Sequence, residues 1–181
     1  MVRKQLLLSS IFYFLVFPSL SQEKPVYVFW KDDIALKKKY QDYSEKKKKD
    51  FISAADKKYA KDYEAIYEDQ FRSIGYLWKS TRAVTAPEAN NYLQSIVKKI
   101  IDANPVLAGT DARVVFSRDG WPNAVSMGDG TIAINAGLVI FMKNEAELVF
   151  VICHELAHCF LDHTNKSIKS TVDEFNSEAF K

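Results

Sequence analysis

The chain has 181 residues, 48% of them hydrophobic, which is enough to bury the core of one domain and leave an extension. Its formal charge of +2 gives no global electrostatic case for a nucleic-acid partner. Its two cysteines, Cys153 and Cys159, are spaced too far apart on one expected helix to bridge, so both read as small core residues and say nothing firm about redox compartment.

The first residues have the order of a secretory signal. Arg3 and Lys4 precede an almost unbroken apolar stretch from Leu6 to Phe17, and Pro18 then breaks it. Ser19 and Ser21 supply small residues where a signal peptidase reads, so residues 1–21 are expected to be removed by cleavage near Ser21–Gln22. The stretch is short for a membrane span, which needs roughly 20 apolar residues. The expected location is outside the cytoplasm, periplasmic or secreted, with an uncleaved membrane anchor as the alternative. Val26–Trp30 is a short apolar patch to which the sequence assigns no role.

Residues 22–84 read as a lysine-rich helical region. Lysines crowd into Lys37–Lys39 and Lys46–Lys49, and acidic residues follow from Asp62 to Asp69. Such a run is ordinarily a solvated helix face; contact with a membrane surface or an acidic partner is the alternative. Tyr59, Tyr63, Ile66, Tyr67, Phe71, Ile74 and Trp78 recur at three- and four-residue steps and predict one apolar helix face, so helix is expected from residue 31 to about residue 80.

Residues 85–181 read as the second domain. Thr85 and Glu88 form a capping-box pattern around Pro87, and the stripe Ala89, Tyr92, Leu93, Ile96, Val97, Ile100 and Ile101 predicts a helix ended by Asn104-Pro105. Ala112–Ser117, Asn123–Met127 and Thr131–Asn135 read as strands, the last two joined in a hairpin at Gly128-Asp129-Gly130. Ala136–Met142 suits a short helix. Asn144, with Glu147 three residues on, caps the next helix, which runs to about Asp162 and is apolar nearly all round, as a buried helix would be.

That helix carries His154-Glu155-Leu156-Ala157-His158. The two histidines lie one turn apart, so both imidazoles can reach one ion, and neutral imidazole nitrogen binds zinc at about 2.0–2.1 Å. Glu155 sits beside them, placed to take a proton from a water whose pKa zinc lowers toward roughly 7 and later to give it to a leaving amine. The pattern predicts Zn2+ as cofactor, His154 and His158 as its ligands, and Glu155 as general base and acid of peptide hydrolysis. All three histidines of the chain fall between His154 and His163. On a continued helix His163 would project about 140° from His158. No glycine between them turns the chain back, so His163 is not expected to bind the metal directly. If the helix ends early it can sit near the site as a polar group.

Asn123-Ala124, the run Gly130–Leu138, Asn144–Leu148 and His154–His163 closely resemble the HtpX-like and Oma-like gluzincins, the family that includes the CAAX prenyl proteases. The resemblance covers about Thr85–Asn165, under half of the chain. It implies a zinc metalloendopeptidase of α+β class, its metal helix buried against a small, mostly antiparallel sheet. It also implies that an extended polypeptide substrate pairs with an edge strand, which Thr131–Asn135 matches by position. The chain looks like the soluble, exported members. A non-catalytic zinc-containing binding or chaperone-like module is the competing reading.

Catalytic zinc of this kind takes three protein ligands. In the resembled family the third is a Glu on a later helix, closely followed by Ala-Asp. Glu174 and Glu178 follow the motif here, but Glu178 is followed by Ala179 and Phe180 with no Asp. The expectation is that residues 85–181 are the N-terminal part of the peptidase domain and that the third ligand lies beyond Lys181, with Glu178 as the alternative.

Overall fold

A computed structural model describes residues 31–178 and residue 180. The expected signal segment and the Val26–Trp30 patch lie outside the described residues. The described chain is α+β, with six α-helices and a four-stranded sheet in the order β1-β2-β4-β3.

The expected single N-terminal helix is two. α1 spans Ile34–Ala54 and α2 spans Ala60–Lys79. Asp33 caps α1 by accepting from the Leu36 amide. Between the helices Ala55 is extended, and Asp56 accepts from the Lys58 amide and starts a short 3-10 turn. A side chain that offers the backbone a local partner of this kind competes with helix, which is why the chain breaks there. The apolar face expected of α2 forms, with Tyr63, Tyr67, Phe71, Ile74 and Trp78 all buried. Lys39, Lys46 and Lys49 on α1 are exposed, in keeping with a solvated face, whereas Lys48 meets Glu45 and Glu68. Among the described residues no helix is long and apolar enough to cross a membrane.

The two-residue strand β1, Ala83–Val84, pairs antiparallel with β2, Arg113–Ser117. α3 follows at Pro87–Ala103 with Pro87 in its first turn, but its N-cap is Ala86. The Thr85 hydroxyl donates instead to the Asp33 carbonyl, so the capping box does not form. β3, Ala124–Ser126, and β4, Thr131–Asn135, form the expected hairpin, with Gly128 and Gly130 at positive φ in its turn. β2 and β4 pair in parallel, so two of the three pairings are antiparallel.

The sheet separates two apolar layers. Ala83, Val115 and Ala133 face Tyr40 of α1 and the buried side of α2. Val114, Ile132 and Ile134 face Leu93, Ile96 and Val97 of α3 and Leu148, Ile152 and Leu156 of α5, which spans Glu145–Phe160. α4, Ala136–Val139, links β4 to α5. α6, His163–Phe175, follows α5 and places Ile168 and Val172 in the layer with α2. The first layer therefore takes residues from both sides of position 84 and ties the N-terminal helices to the sheet.

Candidate metal centre

α5 is built as its sequence suggests. Asn144 accepts from the Glu147 amide at 3.2 Å, and the Glu147 carboxylate reaches back to the Lys143 amide at 2.9 Å. The helix stops sooner than expected. Leu161 is its C-cap, and Asp162 takes a left-handed conformation at φ 52°, outside the helix.

The helix is buried on one face only. Leu148, Ile152, Glu155 and Leu156 are buried, whereas Phe150 is 73% exposed and Phe160 42% exposed. Cys153, expected in the core, is exposed, and Cys159 is half-buried; both are free thiols. The apolar residues beyond the covered face have nothing packed over them among the described residues, and this is why an all-round apolar pattern overstated the burial.

His154 and His158 meet on the flank of that face. Their Nε2 atoms stand 3.3 Å apart. Two neutral imidazoles that turn lone pairs toward each other at this distance repel unless a proton or a cation sits between them. The spacing also matches the edge, about 3.3–3.4 Å, of a tetrahedron with metal–nitrogen bonds of about 2.0–2.1 Å. The pair therefore fits a zinc ion. Among the described residues no cluster of three or more His, Cys, Asp or Glu forms around it, so neither Glu174 nor Glu178 completes a site.

Glu155 lies between the histidines in sequence, flanked on the buried face by Ile152 and Leu156, and is 8% exposed. His163 is not carried away from the site. The left-handed turn at Asp162 brings its Nδ1 to 2.9 Å from Nδ1 of His158. No glycine stands at that turn; an aspartate adopts the conformation instead, which Asp and Asn reach more readily than other side chains.

The strand beside this helix is β3, and the expected placement of the edge on Thr131–Asn135 is corrected. β4 is interior, held by β2 on one side and β3 on the other. The parallel pairing of β2 with β4, invisible in a hairpin signal, is what moves β4 inward. β3 is anchored on α5 by a 3.1 Å contact between Ser126 Oγ and Cys159 Sγ, and Ala124 packs into the α5 layer. Burial raises the pKa of the Cys159 thiol, with Ser126 pulling against it. The Met127 amide donates to the Thr131 carbonyl, and the Asn135 amide donates to the Asn123 carbonyl. By the alternation of an antiparallel ladder, the main-chain groups of Ala124 and Ser126 then point to the open edge. A cavity of about 410 Å³ at the end of this strand is bordered by Ser126, Gly128, His158, Asp162 and, from α1, Lys47 and Phe51.

Residues 87–176 match peptidase family M48. A Vibrio cholerae serotype O1 protein named a beta-barrel assembly-enhancing protease is 27% identical over 112 residues, which are 60% of this chain and 22% of that protein. The chain thus spans about a fifth of the length of this curated relative. No solved structure matches the chain. The segment that matches the family runs from the start of α3 to the end of α6, with the histidine pair inside it.

Proposed function

We propose that the chain carries the metal-binding and proton-transfer residues of a zinc-dependent metalloendopeptidase of the M48 type. The observation that carries this reading is the pair of Nε2 atoms at 3.3 Å with Glu155 beside them on the covered face of the same helix. His154 and His158 would hold zinc, and a third ligand would come from outside the described residues. Zinc at this place supplies Lewis acidity, which lowers the pKa of a water toward roughly 7 and polarises a carbonyl. Glu155 accepts the proton of the attacking water and delivers it to the nitrogen of the leaving amine. Its position between Ile152 and Leu156 limits the water around it and strengthens its electrostatic interactions.

The substrate is an extended polypeptide. The open edge of β3 lies next to α5, so a chain paired with the main-chain groups of Ala124 and Ser126 passes beside the histidines. Main-chain pairing of this kind is blind to most side chains, and the cavity bordered by Lys47 and Asp162 receives one side chain of the bound strand.

Zinc titration of the purified chain by calorimetry tests the metal half of this reading. The expected result is one zinc per chain, lost in His158→Ala while circular dichroism stays unchanged. Zinc binding that is indifferent to both His154→Ala and His158→Ala would overturn it.

A further inference from the structure

We propose that His163 is a positioning residue that fixes the proton of His158 on Nδ1 and so leaves the Nε2 lone pair facing His154. The inference deepens the zinc reading and rests on it. Its ground is a contact that the helix period forbids and the structure makes. Five residues after His158, a continuous helix would point His163 about 140° away. Instead α5 ends at Phe160, Asp162 turns left-handed, and α6 begins at His163. Asp162 is the single non-glycine residue at positive φ among the described residues. Such a backbone conformation is strained for a residue with a side chain, and an observed outlier of this kind beside a site is a pointer to a role. Two local bonds hold the turn: the side-chain amide of Asn165 donates to the Asp162 carboxylate at 2.6 Å, and the Lys166 backbone amide donates to the Asp162 carbonyl at 3.1 Å.

What the turn delivers is an imidazole edge-on to His158, with ring centroids 4.8 Å apart and planes at 80°. The two Nδ1 atoms are 2.9 Å apart, a full hydrogen bond that needs one proton. A ligand nitrogen must be bare, so a His158 that binds through Nε2 carries its proton on Nδ1 and donates it. His163 then accepts at Nδ1 and holds its own proton on Nε2. Metal-bound histidines almost always donate their second N–H to a fixed acceptor, which sets both tautomer and ring orientation. Here a second imidazole from the next helix fills that place. His154 has no such contact among the described side chains: its one ring-nitrogen partner is His158. The orientation of the pair is therefore set from the His158 side.

The test uses the full chain in metal-free and zinc-titrated form, with His163→Leu, which has no acceptor, and His163→Gln, whose amide oxygen can replace it. Long-range proton–nitrogen correlation spectra of the metal-free protein read the His158 tautomer directly. The expected result is the Nδ1–H form in the wild type, a shift toward the Nε2–H form in His163→Leu, and recovery in His163→Gln. Zinc affinity is expected to fall about 10- to 100-fold in His163→Leu and to return in His163→Gln. An unchanged His158 tautomer in His163→Leu, in a protein whose amide spectrum shows it folded, would overturn the inference, as would unchanged zinc affinity. If the wild type binds no zinc, the zinc reading fails on its own, and the tautomer measurement still decides whether His163 fixes His158.

Discussion

Ser44 of α1 donates its hydroxyl to the carboxylate of Asp129, in the turn that joins β3 to β4. The bond runs from a helix outside the segment that matches M48 to the hairpin beside α5 and its histidine pair. Asp129 is 1% exposed and also accepts from the Thr131 amide at 2.8 Å and the Thr131 hydroxyl at 3.1 Å. The Arg113 guanidinium lies 3.6 Å from its carboxylate and donates to Asp111 at 2.9 Å. Tyr43 of α1 stacks under that guanidinium, 3.9 Å from ring centroid to guanidinium carbon. Gln70 of α2 adds a bond to the Met127 carbonyl at 2.9 Å. The N-terminal helices thus brace the turn that sets the edge strand.

Asp129→Asn should therefore destabilise the chain by about 3 kcal/mol, the low end for breaking a buried charge pair, because Arg113 keeps Asp111 as a second partner. Ser44→Ala removes one hydrogen bond and should cost about 1 kcal/mol. Urea unfolding followed by circular dichroism measures both. A midpoint for Asp129→Asn equal to that of the wild type would show that the turn does not depend on this network.

The helices were legible because their signals are local. Tyr63 to Trp78, Leu93 to Val97 and the Asn144 cap each act within one or two turns of backbone. The meeting of His154 and His158 one turn apart could be read for the same reason. The break at Ala55–Asp56 is a competition between a helix turn and an aspartate side chain that periodicity does not register. Thr85 lost its cap because Asp33, 52 residues away, takes its hydroxyl. α6 has only Ile168 and Val172 as its buried pair, too thin a stripe to read without the α2 surface they meet. The interior place of β4 is a non-local fact set by the parallel pairing with β2, and it moved the edge from Thr131–Asn135 to β3. The approach of His163 to His158 depended on one left-handed residue that was not a glycine.

Alkaline titration should separate two classes of tyrosine. Burial pushes the Tyr40 phenol above its ordinary range, with the Arg113 charge and Asn90 pulling back. Tyr67 is raised as well, first by burial and then by the charge of Asp162. For both, the folded state favours the neutral phenol, so their contribution to stability is fully present below the unfolded pKa and is lost as pH rises through the folded one. Ultraviolet difference absorbance should show some of the nine tyrosines ionising late, together with loss of near-ultraviolet circular dichroism. A single ordinary step for all phenols with the dichroism intact would contradict this placement.

Under the proposed function, Glu155 moves the proton at a zinc site held by His154 and His158. The most direct measurement is turnover of casein by the complete natural protein that carries this sequence, wild type against Glu155→Gln, at matched zinc content. The amide keeps the shape of the side chain and cannot act as a base at neutral pH, so zinc should be retained and turnover should fall by about 10²–10⁴-fold. Wild-type turnover in Glu155→Gln at equal zinc would contradict the account.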